Sequence, residues 1–521
     1  MYITGWRLHF ISLGLLVAVF IVQMESSIIS TAVLDITNHL GGYEKSSWLF
    51  TAYLMTYCGL QMVWAKISDI VGRKPAVLAS LFIFTLFSGL CGSSHSLTQL
   101  IHFRWAQGVG GCGVFALVQL VFFELVPPRK WPAYISLVTG FIALSLIAGP
   151  LLGGAITLHG SWRWIFLLNV PVGALTLLCL YTVFPRRLRN EPAARIGGGP
   201  TQQTLSLQSL RRVDASGSLL LLGSCVMSAT ALQQAATGDQ WDSPVVLGLL
   251  VCTGPLIMLF FIWQWYVTTR ESTIEPVFPW RFCQSRIRVG MIINTYLVGT
   301  VLSVCVVQIP QRFSTVYGLS PFTAATKLLS FGVFVPAGSS LAAGLMGKLR
   351  IPPCWVVLGG AILQIVGLAL LSEISDWKVI KPAQYGFQIL AGTGVGFVNA
   401  ALTLLVPYAM EKRDLATGTS AVSQFRVLGG LLGISIVTSV STPYVRTHLL
   451  NILSPQTALQ VLERTEALGM LDEELKQRVR KVFMNGYTLQ LRVLIGFAVA
   501  QIPATLLMWT NQIAEPGAMK R

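Results

Sequence analysis

Arg104-Trp105-Ala106-Gln107-Gly108-Val109-Gly110-Gly111-Cys112-Gly113 has an echo far down the chain, Gln388-Ile389-Leu390-Ala391-Gly392-Thr393-Gly394-Val395-Gly396. Gly108 and Gly110 match Gly392 and Gly394, while Gln388 and Ala391 stand where Arg104 and Gln107 were. A second pair follows each member: Gly149-Pro150-Leu151-Leu152-Gly153-Gly154 and Gly429-Gly430-Leu431-Leu432-Gly433. The intervals nearly agree, with 41 residues from Gly108 to Gly149 and 37 from Gly392 to Gly429. A fainter echo joins 65–74 to 344–353. Recurrence of several pieces in one order is the mark of a duplicated unit.

All these pieces lie in or beside long apolar runs. The chain has 521 residues, 53% hydrophobic and only 11% charged. A soluble protein carries about a quarter charged residues, so this surface is not built for water. Mean hydropathy is +0.66. A membrane span needs roughly 17–25 mostly apolar residues. That criterion places spans near 8–32, 48–65, 76–94, 99–125, 133–157, 164–184, 216–236, 244–268, 289–311, 322–347, 354–372, 382–408, 415–440 and 487–509. The first run resembles a signal peptide in isolation, but the runs behind it make it the first span. The echoes fall in spans 2–5 and 10–13. The sequence therefore predicts an all-α polytopic membrane protein: two six-helix bundles with spans 7 and 8 inserted between them, fourteen transmembrane helices altogether.

The expected organisation is an N-terminal bundle over 1–184, a basic linker over 185–215, two additional spans over 216–268 and a C-terminal bundle over 269–521. Within the last, 441–486 reads as an extracellular loop, charged and partly helical, with Asp472-Glu473-Glu474 as a helix start. The linker is rich in Gly, Pro, Ser and Gln. Lysine and arginine set the orientation. With the N-terminus inside, 22 basic residues fall in inner segments and five, Arg312 among them, in short outer loops. Both termini are expected in the cytoplasm, with the plasma membrane as the expected location and the vacuolar membrane as its alternative.

The net charge of +16 does not imply nucleic acid, because the basic residues sit in short clusters between apolar runs. Nine scattered cysteines form no CxxC, and the six histidines form no metal or catalytic spacing. No GxxxxGK[ST] loop is present, which argues against direct ATP drive. No enzyme activity, cofactor or metal is expected.

The ordered motifs resemble those of the major facilitator superfamily, in the fungal form of its fourteen-spanner drug:proton antiporters. Ala65-Lys66-Ile67-Ser68-Asp69-Ile70-Val71-Gly72-Arg73-Lys74 is similar to the first signature, with alanine where glycine is usual. Arg104, Gln107, Gly108 and Gly110 resemble the second. Gly140, Gly149, Pro150, Gly153 and Gly154 resemble the fifth-span antiporter motif, and Ser161-Trp162-Arg163-Trp164-Ile165-Phe166-Leu167-Leu168-Asn169-Val170-Pro171 is typical of the fourteen-spanner branch. Met24-Glu25-Ser26-Ser27 occupies the first-span motif, with Glu25 replacing the usual aspartate. About seven residues precede the first span, fewer than the tails common in that family.

The resemblance implies proton-coupled efflux of a small amphipathic organic compound, a drug, toxin or secondary metabolite, by alternating access. The alternative is uptake or vacuolar transport of an amino acid, siderophore or sugar on the same fold. Expected partners are the small-molecule substrate, protons and the lipid bilayer, with no nucleic acid, and the transporter is expected to be a monomer. Low dielectric disfavours a bare carboxylate, so Glu25 is the candidate proton carrier; a permanent ion pair and a substrate contact are its other readings. The family uses the arginine at position 104 in proton coupling, and a structural salt bridge there is compatible with that. Lys327 and Arg426 read equally as substrate-path cations and as snorkelling side chains. Asp69, Gly72, Arg73, Lys74 and Glu124 form the expected cytoplasmic gate, with Asp69 facing the start of span 13 near Asp414, as the family's gate does. Gly140, Gly149, Pro150, Gly153 and Gly154 form the expected pivot, because small residues let helices cross closely.

Overall fold

A computed structural model describes residues 5–29, 32–40, 48–185, 214–237, 243–270, 274, 276–319, 321–374, 379–411, 414–463 and 471–509. Most of the basic linker lies outside the described residues. The first half contains α1 (Trp6–Ile28), α2 (Val33–Leu40), α3 (Trp48–Gly59), α4 (Gln61–Val71), α5 (Arg73–Gly92), α6 (Leu97–Leu125), α7 (Trp131–His159), α8 (Arg163–Leu167) and α9 (Asn169–Val183). Next come α10 (Ala215–Thr237) and α11 (Pro244–Thr269). The second half contains α12 (Arg286–Thr315), α13 (Pro321–Thr326), α14 (Leu329–Gly332), α15 (Phe334–Gly347), α16 (Pro353–Ser372), α17 (Ala383–Ala409), α18 (Leu415–Leu450), α19 (Pro455–Glu463) and α20 (Glu473–Leu507).

Among the described residues, 12 helical stretches are long and apolar enough to cross a membrane. The second and fifth expected spans are occupied by α3 with α4, divided at Leu60, and by the 29-residue α7. At 1.5 Å per residue, α7 is about 43 Å long.

The duplicated glycines show why the halves are equivalent. A Cβ on Gly108 would meet the Tyr53 carbonyl oxygen of α3 at 2.5 Å, and one on Gly392 the Phe331 carbonyl oxygen of α14 at 2.5 Å. Gly110 abuts the α5 backbone at Ser80 and Phe84; Gly394 abuts that of α16 at Gly360 and Gln364. Gly149 lies against Met24 and Ile28 of α1, and Gly429 against Tyr296 of α12. The same three crossings are thus made twice. Each permits backbone approach that any side chain would block.

The inserted pair sits against both bundles. Helix α10 packs along both α3 and α18, one from each half, and so flanks their seam. Asp214 joins it to α11 by accepting from Trp263 Nε1 (2.8 Å) and Gln264 Nε2 (2.7 Å). Helix α11 bares Val251, Met258 and Ile262, apolar side chains suited to lipid.

The segment 441–486 is not an open loop throughout. Helix α18 runs on to Leu450 and α20 begins at Glu473, with Asp472 at its N-cap. Leu449, Leu453, Ala458, Val461, Val479 and Val482 form a small core of their own, which is why helix persists beyond the expected span.

Candidate functional site: two buried charge clusters and a seam

Glu25 occupies the last turn of α1 and is fully buried. Its Oε1 lies 2.6 Å from Arg104 Nη1, and its Oε2 accepts from Asn169 Nδ2 at 2.5 Å. Arg104 also donates to Gln107 Oε1 (2.7 Å) and to the Leu49 carbonyl (3.1 Å). Gln107 in turn donates to Ser88 Oγ at 2.7 Å. The guanidinium sits 4.4 Å from the Tyr53 ring centroid and 5.8 Å from that of Phe166. Helices α1, α3, α5, α6 and α9 therefore meet in one polar knot. Arg104 lies seven residues into α6, about 10 Å from its end. Met24, Ile28, Leu49, Trp162 and Phe166 form an apolar cluster beside it.

This arrangement unites Glu25, Arg104 and Gln107. It adds Asn169, which no sequence motif marked as a partner of Glu25. The available signal was an amide inside the apolar run 161–171, but nothing in that run said what it would face.

The second cluster lies where α4 turns into α5. Gly72 has φ 99°, a left-handed conformation that glycine adopts without strain, and it reverses the chain between the helices. Arg73, 1% exposed, reaches Glu124 Oε1 at 2.9 Å and Asp69 Oδ1 at 2.7 Å. It also donates to Ser68 Oγ at 2.6 Å. One guanidinium thus binds two carboxylates, each from a different helix. Helix α4 packs against α18 of the other half, so the cluster borders the seam.

Lys74 does not join it. Its ammonium donates to the carbonyls of Tyr181 and Phe184, both at 2.7 Å, and so holds the last turn of α9. Successive residues on a helix point about 100° apart, which separates Arg73 from Lys74. At the start of α18, Asp414 is gripped by Arg281 through bonds of 2.6 and 2.7 Å.

Polar contacts cross the seam nearby. Gln424 Oε1 accepts from the Met62 backbone N–H at 3.1 Å, and Ser423 Oγ donates to Gln119 Oε1 at 3.0 Å. Phe123, Ile135, Ala343 and Leu404, two from each half, form an apolar cluster. The two halves are therefore packed together on the side bearing Arg73 and Lys130.

The expected pivot residues separate. Gly149 is pressed on α1, and Pro150 follows it inside α7. A Cβ on Gly140 would meet Pro336 of the other half at an ordinary 3.8 Å, and one on Gly154 would enter open space. Gly153 is buried. Lys327 stands in the turn between α13 and α14, half-buried, 5.4 Å from the Tyr385 ring centroid. Arg426 is buried in α18, and its Nη1 donates to Asn399 Oδ1 at 2.5 Å.

Arg312 corrects an expectation. It lies inside α12, not in an outer loop, and is 6% exposed. It donates to the carbonyls of Leu371 (3.4 Å) and Ile374 (3.1 Å), at the C-terminal end of α16. Helix α12 is 30 residues long and extends past the apolar stretch, carrying the arginine into the bundle. Arg312, Gln308, Gln388 and Gln490 line a cavity of about 30 Å³, room for about two waters.

Buried ion pairs in a duplicated helical bundle with apolar, membrane-length helices are the architecture of a polytopic membrane protein built from two related halves. The family model for the Major Facilitator Superfamily matches residues 15–434, and the chain belongs to that family. It is 33% identical over 511 residues to the MFS-type transporter FPY5 of Fusarium mangiferae, covering 98% of this chain and 85% of that protein. It is 27% identical to the efflux pump aflT of Aspergillus parasiticus, covering 93% of this chain and 90% of the pump. Among solved structures, a bacterial homologue of the lysosomal transporter Spinster, inward-facing and unoccupied, matches with TM-score 0.59 at 13% identity. That match covers 98% of this chain and 100% of the other. The proton:xylose symporter XylE matches with TM-score 0.58 at 12% identity, covering 99% of each chain. These likenesses establish the fold.

Proposed function

We propose that this multi-pass transporter exports a small amphipathic organic compound in exchange for protons. The observation that carries this reading is the buried Glu25–Arg104–Asn169 knot. Protonating Glu25 removes half of an ion pair in low dielectric, which frees the Arg104 guanidinium to reorganise among Gln107 and the Leu49 carbonyl. Helix α1 carries Glu25 and is pressed against Gly149 of α7, so a change at the carboxyl acts on a close helix crossing. The proton thus biases a two-state bundle, and the compound is moved when both ligands favour opposite states.

The basic loops orient this cycle. Arg73, Lys74, Arg129, Lys130, Lys348 and Arg350 share one side, assigned to the cytoplasm together with both termini. Asp69, Arg73 and Glu124 then latch the cytoplasmic ends of α4 and α6 beside α18, and the plasma membrane is the site of export. The relatives named as efflux pumps support the outward direction. The cycle is assigned to a monomer.

The test is reconstitution in liposomes under an imposed proton gradient, with fluorescent and metabolite-like compounds. Wild-type protein and Asp69→Asn should differ in rate, whereas Glu25→Gln should lose dependence on the gradient. Movement that ignores the gradient and survives Glu25→Gln would remove the proton from the mechanism.

A further inference from the structure

Buried arginines are costly, and their partners show how each is compensated. In the first half both are neutralised, Arg104 by Glu25 and Arg73 by Asp69 and Glu124. In the second half Arg312 rests on carbonyls ending α16, where the helix dipole supplies negative potential. Arg426 has neither form of compensation. It stands eleven residues into α18, away from both helix ends. Among the described residues no carboxylate lies within ion-pair distance of it, and its Nη2 has no hydrogen-bond partner although it is buried. Asn399 supplies one neutral oxygen.

Its position is held firmly. The Arg426 backbone is pressed against Gly299 of α12, so the side chain has a fixed base. From there the guanidinium crosses the seam to 5.6 Å from the Phe115 ring centroid in the first half. Tyr57 lies 5.7 Å from Phe115, ring to ring, and its hydroxyl donates to Gln23 Oε1 at 2.5 Å. A cation, two aromatic rings and two carboxamides thus meet where the halves face each other.

We propose that the transported compound is an organic anion whose acidic group, a carboxylate or acidic enol, seats on Arg426 while its unsaturated body packs on Phe115 and Tyr57. This rests on the reading of the chain as an efflux carrier and narrows its substrate. The free Nη2–H and the charge attract an anion, and a cation at the same seam meets repulsion without a free carboxylate to offset it. Glu25, the acid buried in α1, is already engaged by Arg104 and Asn169. An anion leaving as a proton enters also moves two positive charges inward per cycle, so an inside-negative potential accelerates export.

The experiment compares two xanthene dyes in proteoliposomes: carboxyfluorescein, which carries carboxylates, and rhodamine 6G, which carries a fixed positive charge. Binding is read separately by dye-induced shift of the melting temperature. Wild type should bind and move the anion at least tenfold better than the cation, and faster under an inside-negative potential. Arg426→Gln should lose tenfold or more of both anion readouts, Arg426→Lys should recover part, and neither should lower the melting temperature of dye-free protein. Preference for rhodamine 6G, or unchanged anion handling in Arg426→Gln, overturns the anionic substrate and leaves efflux standing. Anion binding that depends on Arg426 without any movement overturns the efflux reading and supports the site. Failure of folded protein to bind or move either dye overturns both.

Discussion

The two halves make the same three glycine crossings, yet they treat their buried arginines in opposite ways. The first half closes its charges on itself: Arg104 with Glu25, and Arg73 with Asp69 and Glu124. The second pairs the buried Asp414 with the more exposed Arg281, but leaves its buried arginines without an acid: Arg426 meets an amide and Arg312 the carbonyls ending α16. Duplication therefore preserved the scaffold while the chemistry diverged, with Gln388 standing where the first half has Arg104. One fold thus holds both a paired and an unpaired buried arginine. A paired carboxylate can be switched by a proton. An unpaired cation is available to a ligand.

Breaking a first-half pair should give the largest effect. Removing one member of a buried pair costs about 3–5 kcal/mol, at least about a hundredfold in an equilibrium. Glu25→Gln should abolish gradient-driven transport in proteoliposomes. Arg104→Gln should lower the melting temperature as well, because it strands the Glu25 carboxylate. If Arg104→Gln is as well tolerated as Arg426→Gln, the contrast between the halves is wrong.

Arg73→Ala should come next, since it removes the cation that joins Asp69 to Glu124. A destabilisation of about 3 kcal/mol is expected in detergent melting. Restoring balance with Glu124→Gln on that background should recover part of it.

The shared scaffold can be tested through its matched crossings. Gly149→Val and Gly429→Val should each cost about 1–3 kcal/mol through overpacking and should slow transport alike. Gly154→Ala should be neutral or stabilising by up to about 1 kcal/mol, because open space surrounds it and alanine favours helix. Unequal losses at Gly149 and Gly429 would show that the crossings are not equivalent.

Lys74→Ala should have the smallest effect, about 1 kcal/mol, from losing the hold on the end of α9. Transport coupling should be unchanged. A loss of gating at Lys74 would return it to the cluster around Arg73.

The chain by itself determined the membrane class, the duplication and the places of the charged motifs. Apolar runs have one stable outcome in a bilayer, since helices satisfy their own backbone there. The glycine echoes carried information because close crossings need the same residue in both copies. Glu25, Arg104 and Gln107 were legible as candidates because polar groups among apolar residues are expensive. Their joining through Asn169 was not legible, since α1, α6 and α9 are brought together by tertiary packing across more than a hundred residues. The same reason separates Lys74 from Arg73: adjacency in sequence says nothing of which neighbouring helix each side chain meets. Arg312 was read as an outer-loop residue because apolar content marks where a span is comfortable, not where its helix stops. Only the folded bundle decides which buried charge finds an opposite charge, and that depends on distances of a few ångströms that no run of residues encodes alone.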